Sequence, residues 1–409
     1  MKAVGIIAEY NPCHNGHQYH IHQSKVETGA DCAVVVMSGD FVQRGAPAIA
    51  DKYTRAKCAV ICGADIVIEL PVVYATGSAE LFASGAVSIL NGLGVSDMSF
   101  GSECSSLDRL ADIAACLADE PPAYKEALRR YLSSGCSMPL ARTRAYYETC
   151  GYETGDILSS PNNILAVEYM KALIRTSSPI VPHNIVRRDN RYHDDFLTGS
   201  ISSATAIRKY MEAGDIEKVA ECVNPLVYNI LQSQCNKLLP VTDADFSQIL
   251  LYALRDKTDS LDDYADVSAA MAVRIRNYIS SKRDVFSLKS AADYVKTKDI
   301  TYTRVCRSLV HILLGIRHNL ISDVRTAGFP AYARVLAISA SGREFLNSIR
   351  KTATIPVIAN CHDDMQKSDD LRRRLLALDI KASDIYNDII FDKYNNKIKD
   401  DYRSRPLIL

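Results

Sequence analysis

The 409-residue chain contains no apolar run near the roughly 18 residues that a membrane-spanning helix needs. Its opening, Met1-Lys2-Ala3-Val4-Gly5-Ile6-Ile7-Ala8-Glu9, meets charge too early for a signal peptide's apolar core. A cytoplasmic protein with no membrane partner is therefore expected. Its twelve cysteines include no CxxC pair. Cys58 and Cys62 stand four apart on a predicted helix, which suits a buried face better than a disulfide, and free thiols are expected. Formal net charge is zero, so the whole-chain balance does not announce a nucleic-acid partner. There is also no low-complexity linker, so the parts of the chain are expected to pack closely.

Hydrophobic content of 47% and charged content of 23% describe a globular protein, and the length implies more than one domain. Lys2 to Glu9 reads as a buried strand ending at Asn11-Pro12. A unit then recurs: Gly29-Ala30-Asp31 leads into CAVVVMSG, Gly63-Ala64-Asp65 into IVIELP, and Gly94-Val95-Ser96-Asp97 into MSFGSE. A helical solenoid would also give such a period. The β-branched runs instead favour strands alternating with helices, and so an α/β fold with a doubly wound, Rossmann-like parallel sheet. Ligands of such sheets bind beyond the strands' carboxyl ends. A further strand fits Ile180 to Val186. From Thr205 to about Leu320 apolar residues recur at three and four, the helical period. Three parts are expected: a catalytic domain over 1–235, a helical region over 236–325 and a small mixed α/β portion over 326–409. Residues 271–360 hold fifteen lysines and arginines against five acidic residues, either an RNA footprint or solvated helix surface.

The stretch EYNPCHNGHQYHIHQ places four of the nine histidines in fifteen positions. A zinc site lacks a completing cysteine or carboxylate pattern. A helix that starts just past a strand end offers unpaired N–H groups and a partial positive charge, which favour phosphate. His14 and His17 share one face of that first turn, and Gly16 lets a phosphate or base approach. Imidazoles so placed would donate hydrogen bonds as charge builds on an α-phosphate during displacement. His20 would sit at the edge of the pocket and His22 on plain surface. Alanine at His14 or His17 is expected to slow the chemistry by about 10² or more and to spare the fold, both positions being taken as surface sites.

A second pattern, Ile201-Ser202-Ser203-Ala204-Thr205-Ala206-Ile207-Arg208, lies about 190 residues downstream. Hydroxyls, backbone N–H groups and a guanidinium at a helix start would hold pyrophosphate. Taken alone, the pattern is equally an ordinary capped helix. H-x-G-H after a strand followed by T-x-I-R resembles the nucleotidyltransferase superfamily, with its adenylyltransferases and class I aminoacyl-tRNA synthetases. The ordered segments GIIAEYNPCHNGHQYHI, MSGDFVQRGAPA, ELP, FGSE, SPNNILAVEYMKAL, YTRVCRSLVHILLGI, SGREFLNSIRK and LDIKASDIYN narrow the resemblance to the tRNA(Met) cytidine acetate ligase family over nearly the whole chain. Cys13 departs from the aromatic residue expected there, which touches packing more than chemistry.

The resemblance implies an enzyme that activates acetate with ATP as acetyl-adenylate. It would then acetylate N4 of the wobble cytidine of elongator tRNA(Met). It further implies His14, His17, Thr205 and Arg208 as catalytic. The ATP site would take Ile7, Ala8, Glu9, Tyr10, Asn11, Pro12, Cys13, His14, Asn15, Gly16, His17, Gln18, Tyr19 and His20, then Gly101, Asn162, Arg187, Arg188, Ser202 and Ser203. Asn162 reads equally as a helix cap, and Arg187-Arg188 also as a solvated strand end. Asp40 and Arg44 would line the pocket or belong to a plain loop. Arg304, Arg307, His311 and Arg317 would grip RNA backbone or form one polar helix face. Magnesium is expected with ATP, though no motif fixes its ligands and no other metal is assigned. A small-molecule acceptor, as in citrate lyase ligases, and a non-catalytic RNA-binding protein are the competing readings.

Overall fold

The computed structural model describes residues 1–136, 138–151, 157–187, 202–281 and 286–409. Ten strands form among them: β1 (Ala3–Ala8), β2 (Cys32–Ser38), β3 (Phe41–Val42), β4 (Ala46–Pro47), β5 (Ile66–Leu70), β6 (Asp97–Ser102), β7 (Val181–Val186), β8 (Ala333–Ile338), β9 (Val357–Ile358) and β10 (Leu407–Ile408). The recurring glycines explain the rhythm. Gly29 (φ 64°), Gly63 (φ 107°) and Gly94 (φ 69°) all adopt left-handed backbone, where a side chain would be strained. Each ends a helix region and returns the chain to the sheet as β2, β5 or β6.

The main sheet runs β10-β8-β5-β2-β1-β6-β7, with β9 also on β8. Neighbours from β5 to β7 are parallel. The chain winds from β1 out to β5, then crosses back to β6, so strand order reverses between β1 and β6. That reversal is where an open α/β sheet binds its ligand. One apolar layer, with Ile21, Ala56 and Ile207, covers one face; the other, with Phe82, Ala86 and Val167, covers the opposite face.

The parallel pattern breaks at one edge. β8 pairs antiparallel with β5, although it comes from the segment beyond residue 326. All six of its residues are buried. It covers the β5 edge, and β9 and β10 pair only two-residue lengths of its outer side. The helical region packs into the same apolar layer. Phe41 of β3 meets Phe246 at 5.5 Å and Tyr386 of the 25-residue helix Asp370–Tyr394 at 6.4 Å.

Candidate active site

Past β1 the chain turns at Tyr10 (φ 46°) and at a cis Asn11–Pro12 peptide. The helix Asn15–Thr28 then begins with His14 as its N-cap. The Gly16 N–H donates to His14 Nδ1 at 3.1 Å, and the His14 N–H donates to His17 Nδ1 at 3.3 Å. Helix starts leave such N–H groups unpaired, and a reciprocal cap satisfies two of them. Here imidazoles do the work usually given to a hydroxyl and a carboxylate. Each Nδ1 accepts, so each neutral ring carries its proton on Nε2, a tautomer assigned from these bonds. The rings stack with centroids 3.7 Å apart.

Burial, reinforced by Arg187 and Arg208, lowers His14 to about 3. Burial followed by the neighbouring His14 and Arg187 also lowers His17 well below its ordinary value. His20 falls to about 4 through burial and Arg187. At neutral pH the three rings are uncharged, and His14 and His17 are fixed as Nε2–H donors. The surface placement expected for His14 is corrected: it is 7% exposed and holds the helix start, so its removal costs structure.

The second motif arrives at the same place. Ser203 caps the helix Ala204–Glu212, accepting from the Ala206 N–H at 3.1 Å. Arg208 donates to the Asn11 carbonyl at 2.7 Å and to Thr205 Oγ1 at 3.2 Å. One guanidinium thus joins two segments 197 residues apart. A third support had no signal in the sequence. Buried Arg55 donates to the carbonyls of Glu9 at 2.8 Å and Ser38 at 2.9 Å, and also to Gly39. It pins the ends of β1 and β2 beside the turn.

A cavity of about 510 Å³ lies beyond the ends of β1, β6 and β7. Ile7, Ala8, Glu9, Tyr10, Asn11, His14, Gly16, His17, Tyr19 and His20 line it, as do Gly101, Asn162, Arg187, Ser202, Ser203, Thr205 and Arg208. Arg188 lies outside the described residues. Four further candidates do not line it. Pro12 is buried, and Cys13 sits 1% exposed in the apolar layer with Cys62. Asn15 donates to the Glu221 carbonyl at 2.9 Å and Gln18 accepts from Asn224 at 3.2 Å, so both fasten the helix to its neighbours.

Asn162 is not the helix cap; Ser160 holds that position, and Asn162 donates to Glu103 at 2.6 Å. A Cβ at Gly101 would meet the Arg187 side chain at 3.5 Å, an ordinary van der Waals contact, so that arginine packs over the strand end without requiring a glycine there. His22 is exposed as expected. Arg44 lines the cavity, whereas Asp40 is buried and spent on the Lys52 N–H and Ser383, both at 2.8 Å. Sequence reading missed Gln43, Phe82, Phe100, Leu165 and Tyr169. The apolar and aromatic types of the last four read as core, Gln43 carried no motif of its own, and only tertiary position brings all five to the cavity.

The basic helix divides. His311 does not face RNA: it is 1% exposed, and its ring bonds the Ala265 and Thr76 carbonyls, each at 3.0 Å. Arg307 is committed to Asp266 at 3.0 Å, with its side chain 13% exposed. Arg304 donates to the Asp266 carbonyl at 3.3 Å. Arg317 follows the Gly315 stop, outside the helix Tyr302–Leu314, with its side chain 53% exposed.

A strand-end pocket in which a histidine-capped helix meets an arginine-bearing helix start defines a nucleotidyltransferase of the H-x-G-H class. The model of the HIGH Nucleotidyl Transferase family matches residues 1–401. The tRNA(Met) cytidine acetate ligase of Acetivibrio thermocellus is 39% identical over 395 residues, covering 94% of each chain. That of Caldicellulosiruptor saccharolyticus is 39% identical over 411 residues, covering 100% of this chain and 99% of its own. Thermotoga maritima TmcAL superposes with a TM-score of 0.94 in its apo form and 0.91 bound to alpha-thio ATP. Both match at 32% identity and cover both chains completely. The chain belongs to the tRNA(Met) cytidine acetate ligase family.

Proposed function

We propose that this protein activates acetate with ATP and transfers the acetyl group to N4 of the wobble cytidine of elongator tRNA(Met). The observation carrying this reading is the convergence of His14, His17 and Arg208 on one cavity, held together by the Arg208–Asn11 bond. Acetate oxygen attacks the α-phosphorus, the bond to the β-phosphate breaks, and pyrophosphate leaves with acetyl-adenylate remaining. The neutral Nε2–H groups of His14 and His17 donate to the α-phosphate oxygens as charge concentrates there. Such preorganised donors act without being protonated or deprotonated. Arg208, Thr205 and the first N–H groups of the helix Ala204–Glu212 take the pyrophosphate. In the second step cytidine N4 attacks the acetyl carbon and AMP departs.

Among the described residues no group of three or more His, Cys, Asp or Glu is arranged to hold a metal. Magnesium, expected with ATP, fits this pocket only as an ion carried on the triphosphate with waters, and no step here runs through it. The region 236–325 is assigned to the tRNA, with Arg304 and Arg317 as backbone contacts and Arg307 acting mainly through Asp266. No described helix is long and apolar enough to cross a membrane, in keeping with a cytoplasmic place among tRNA substrates.

The test is ATP–pyrophosphate exchange with and without acetate, followed by labelled acetate transfer to tRNA. Acetate-dependent exchange and label on tRNA(Met) are expected. Exchange without RNA labelling would move the acceptor to a small molecule. RNA binding with no exchange would leave a non-catalytic binding protein.

A further inference from the structure

In-line displacement puts the attacking oxygen and the leaving group on opposite sides of the α-phosphorus. The pyrophosphate end of this pocket lies on one face of the sheet: Ile207 and Met211, from the helix that carries Arg208, pack in the same apolar layer as Ile21 of the histidine helix. The attacking acid must therefore enter from the other face. There the cavity wall changes character. Phe82 and Tyr169, 3% and 5% exposed, come from the helices Ala79–Gly92 and Pro161–Arg175, and Phe100 from β6. All three belong to the opposite apolar layer, with Leu165 packed against it, and all four line the cavity.

Tyr169 adds one polar atom to this wall. Its ring lies 6.0 Å from that of Phe100, and its hydroxyl makes no hydrogen bond among the described residues. The hydroxyl opens onto the cavity rather than being sealed in the core, so a ligand there can accept a hydrogen bond from it. Burial, with Glu9 nearby, raises the phenol's pKa, so it remains a donor. Glu9 itself is turned to the Gln43 N–H at 3.0 Å.

We propose that Tyr169, Phe82, Phe100 and Leu165 form the acyl subsite. The Tyr169 hydroxyl donates to the acid's non-attacking oxygen, and the apolar side chains close around its methyl group. This rests on the acetate-activation reading above. It assigns discrimination against acids longer than acetate to the apolar side chains at this end of the cavity. The nucleotide base then lies toward Gly101 and Arg187.

The experiment measures acid-dependent ATP–pyrophosphate exchange by the full chain with acetate, propionate and butyrate. Tyr169→Phe should raise KM for acetate about tenfold, as loss of a hydrogen bond to a charged group does, with KM for ATP within about twofold. Leu165→Ala, which opens space at the wall, should raise the propionate-to-acetate ratio of kcat/KM at least about tenfold, the value of one methylene in an apolar pocket. Tyr169→Phe acting on KM for ATP instead, or an unchanged acid preference in Leu165→Ala, would overturn the subsite while leaving acetate activation standing. A wild-type chain that exchanges with none of the acids would overturn both.

Discussion

Two polar clusters lie within the sheet's reach, and they treat charge in opposite ways. In the first, Lys52 meets Glu69 and Asp401, each at 2.8 Å. Arg334 meets Glu69 at 2.8 Å and Asp401 at 2.7 Å, and every one of these side chains is at most 3% exposed. Burial opposes ionisation of Asp401, yet Lys52 and Arg334 override it and hold the carboxyl well below its usual range. The charges pair chiefly with one another, although burial still raises the Glu69 carboxyl above its ordinary range, and none of the four lines the cavity. In the pocket, His14, His17 and Arg208 are instead tied to backbone N–H and carbonyl groups. Backbone bonds fix their orientation, and the Nε2–H groups of His14 and His17 are left to meet a ligand. A buried polar cluster signals function when its members are held by the backbone and open to a void, and architecture when they consume each other.

The largest expected effect breaks the closed cluster. Asp401→Asn should destabilise by about 3–5 kcal/mol, because it leaves two buried cations, Lys52 and Arg334, to share the single Glu69 carboxylate. Denaturant unfolding would read the loss, and acetate-dependent exchange per folded molecule should hold. A large fall in that specific activity would erase the distinction between the clusters. Next comes the open one. His17→Ala should lower adenylate formation by about 10² or more. His14→Ala should do the same and also lose about 1 kcal/mol of capping, whereas His14→Asn should restore the cap without the rate. Recovery of rate in His14→Asn would reduce His14 to a structural cap.

Acid sharpens the contrast further. The folded chain holds His14 at about 3 against an ordinary 6.5, so between these values the unfolded chain binds a proton that the folded one refuses. This contribution to stability is complete above about pH 6.5 and is lost as pH falls toward 3. His14→Asn should flatten the dependence of Tm on pH in that window, and the activity profile from pH 6 to 8 should show no inflection near 6.5 from these rings. The smallest effect concerns RNA. Arg317→Ala should reduce the salt slope of tRNA binding by about 1, whereas Arg307→Ala should change stability more than that slope. An unchanged slope in Arg317→Ala would remove Arg317 from the contact surface.

Much of this was legible because the signals were local. The capped start at His14, the αL glycines 29, 63 and 94 and the apolar run of β2 are each decided within a few residues by sterics and hydrogen bonding. H-x-G-H and T-x-I-R were readable for the same reason, as strand-to-helix and loop-to-helix junctions. Misreadings fell where a helical period cannot tell which face turns inward. His311 shares the register of Arg304 and Arg307 yet lies under Thr76 and Ala265. β8 could not be paired from sequence because its partner β5 lies more than 260 residues earlier, and a strand's own residues do not name its neighbour.

By itself the sequence determined the alternation of strand and helix, the helix starts and the residue types at each strand end. Tertiary structure alone decided that Arg208 reaches Asn11, that β8 closes the sheet edge in reverse, and that Tyr169, Phe82 and Phe100 border a cavity rather than fill a core. Local conformation depends on torsions and bonds between near neighbours. Which distant surfaces meet depends on burying apolar area across the whole chain, and that sum is fixed only in the folded state.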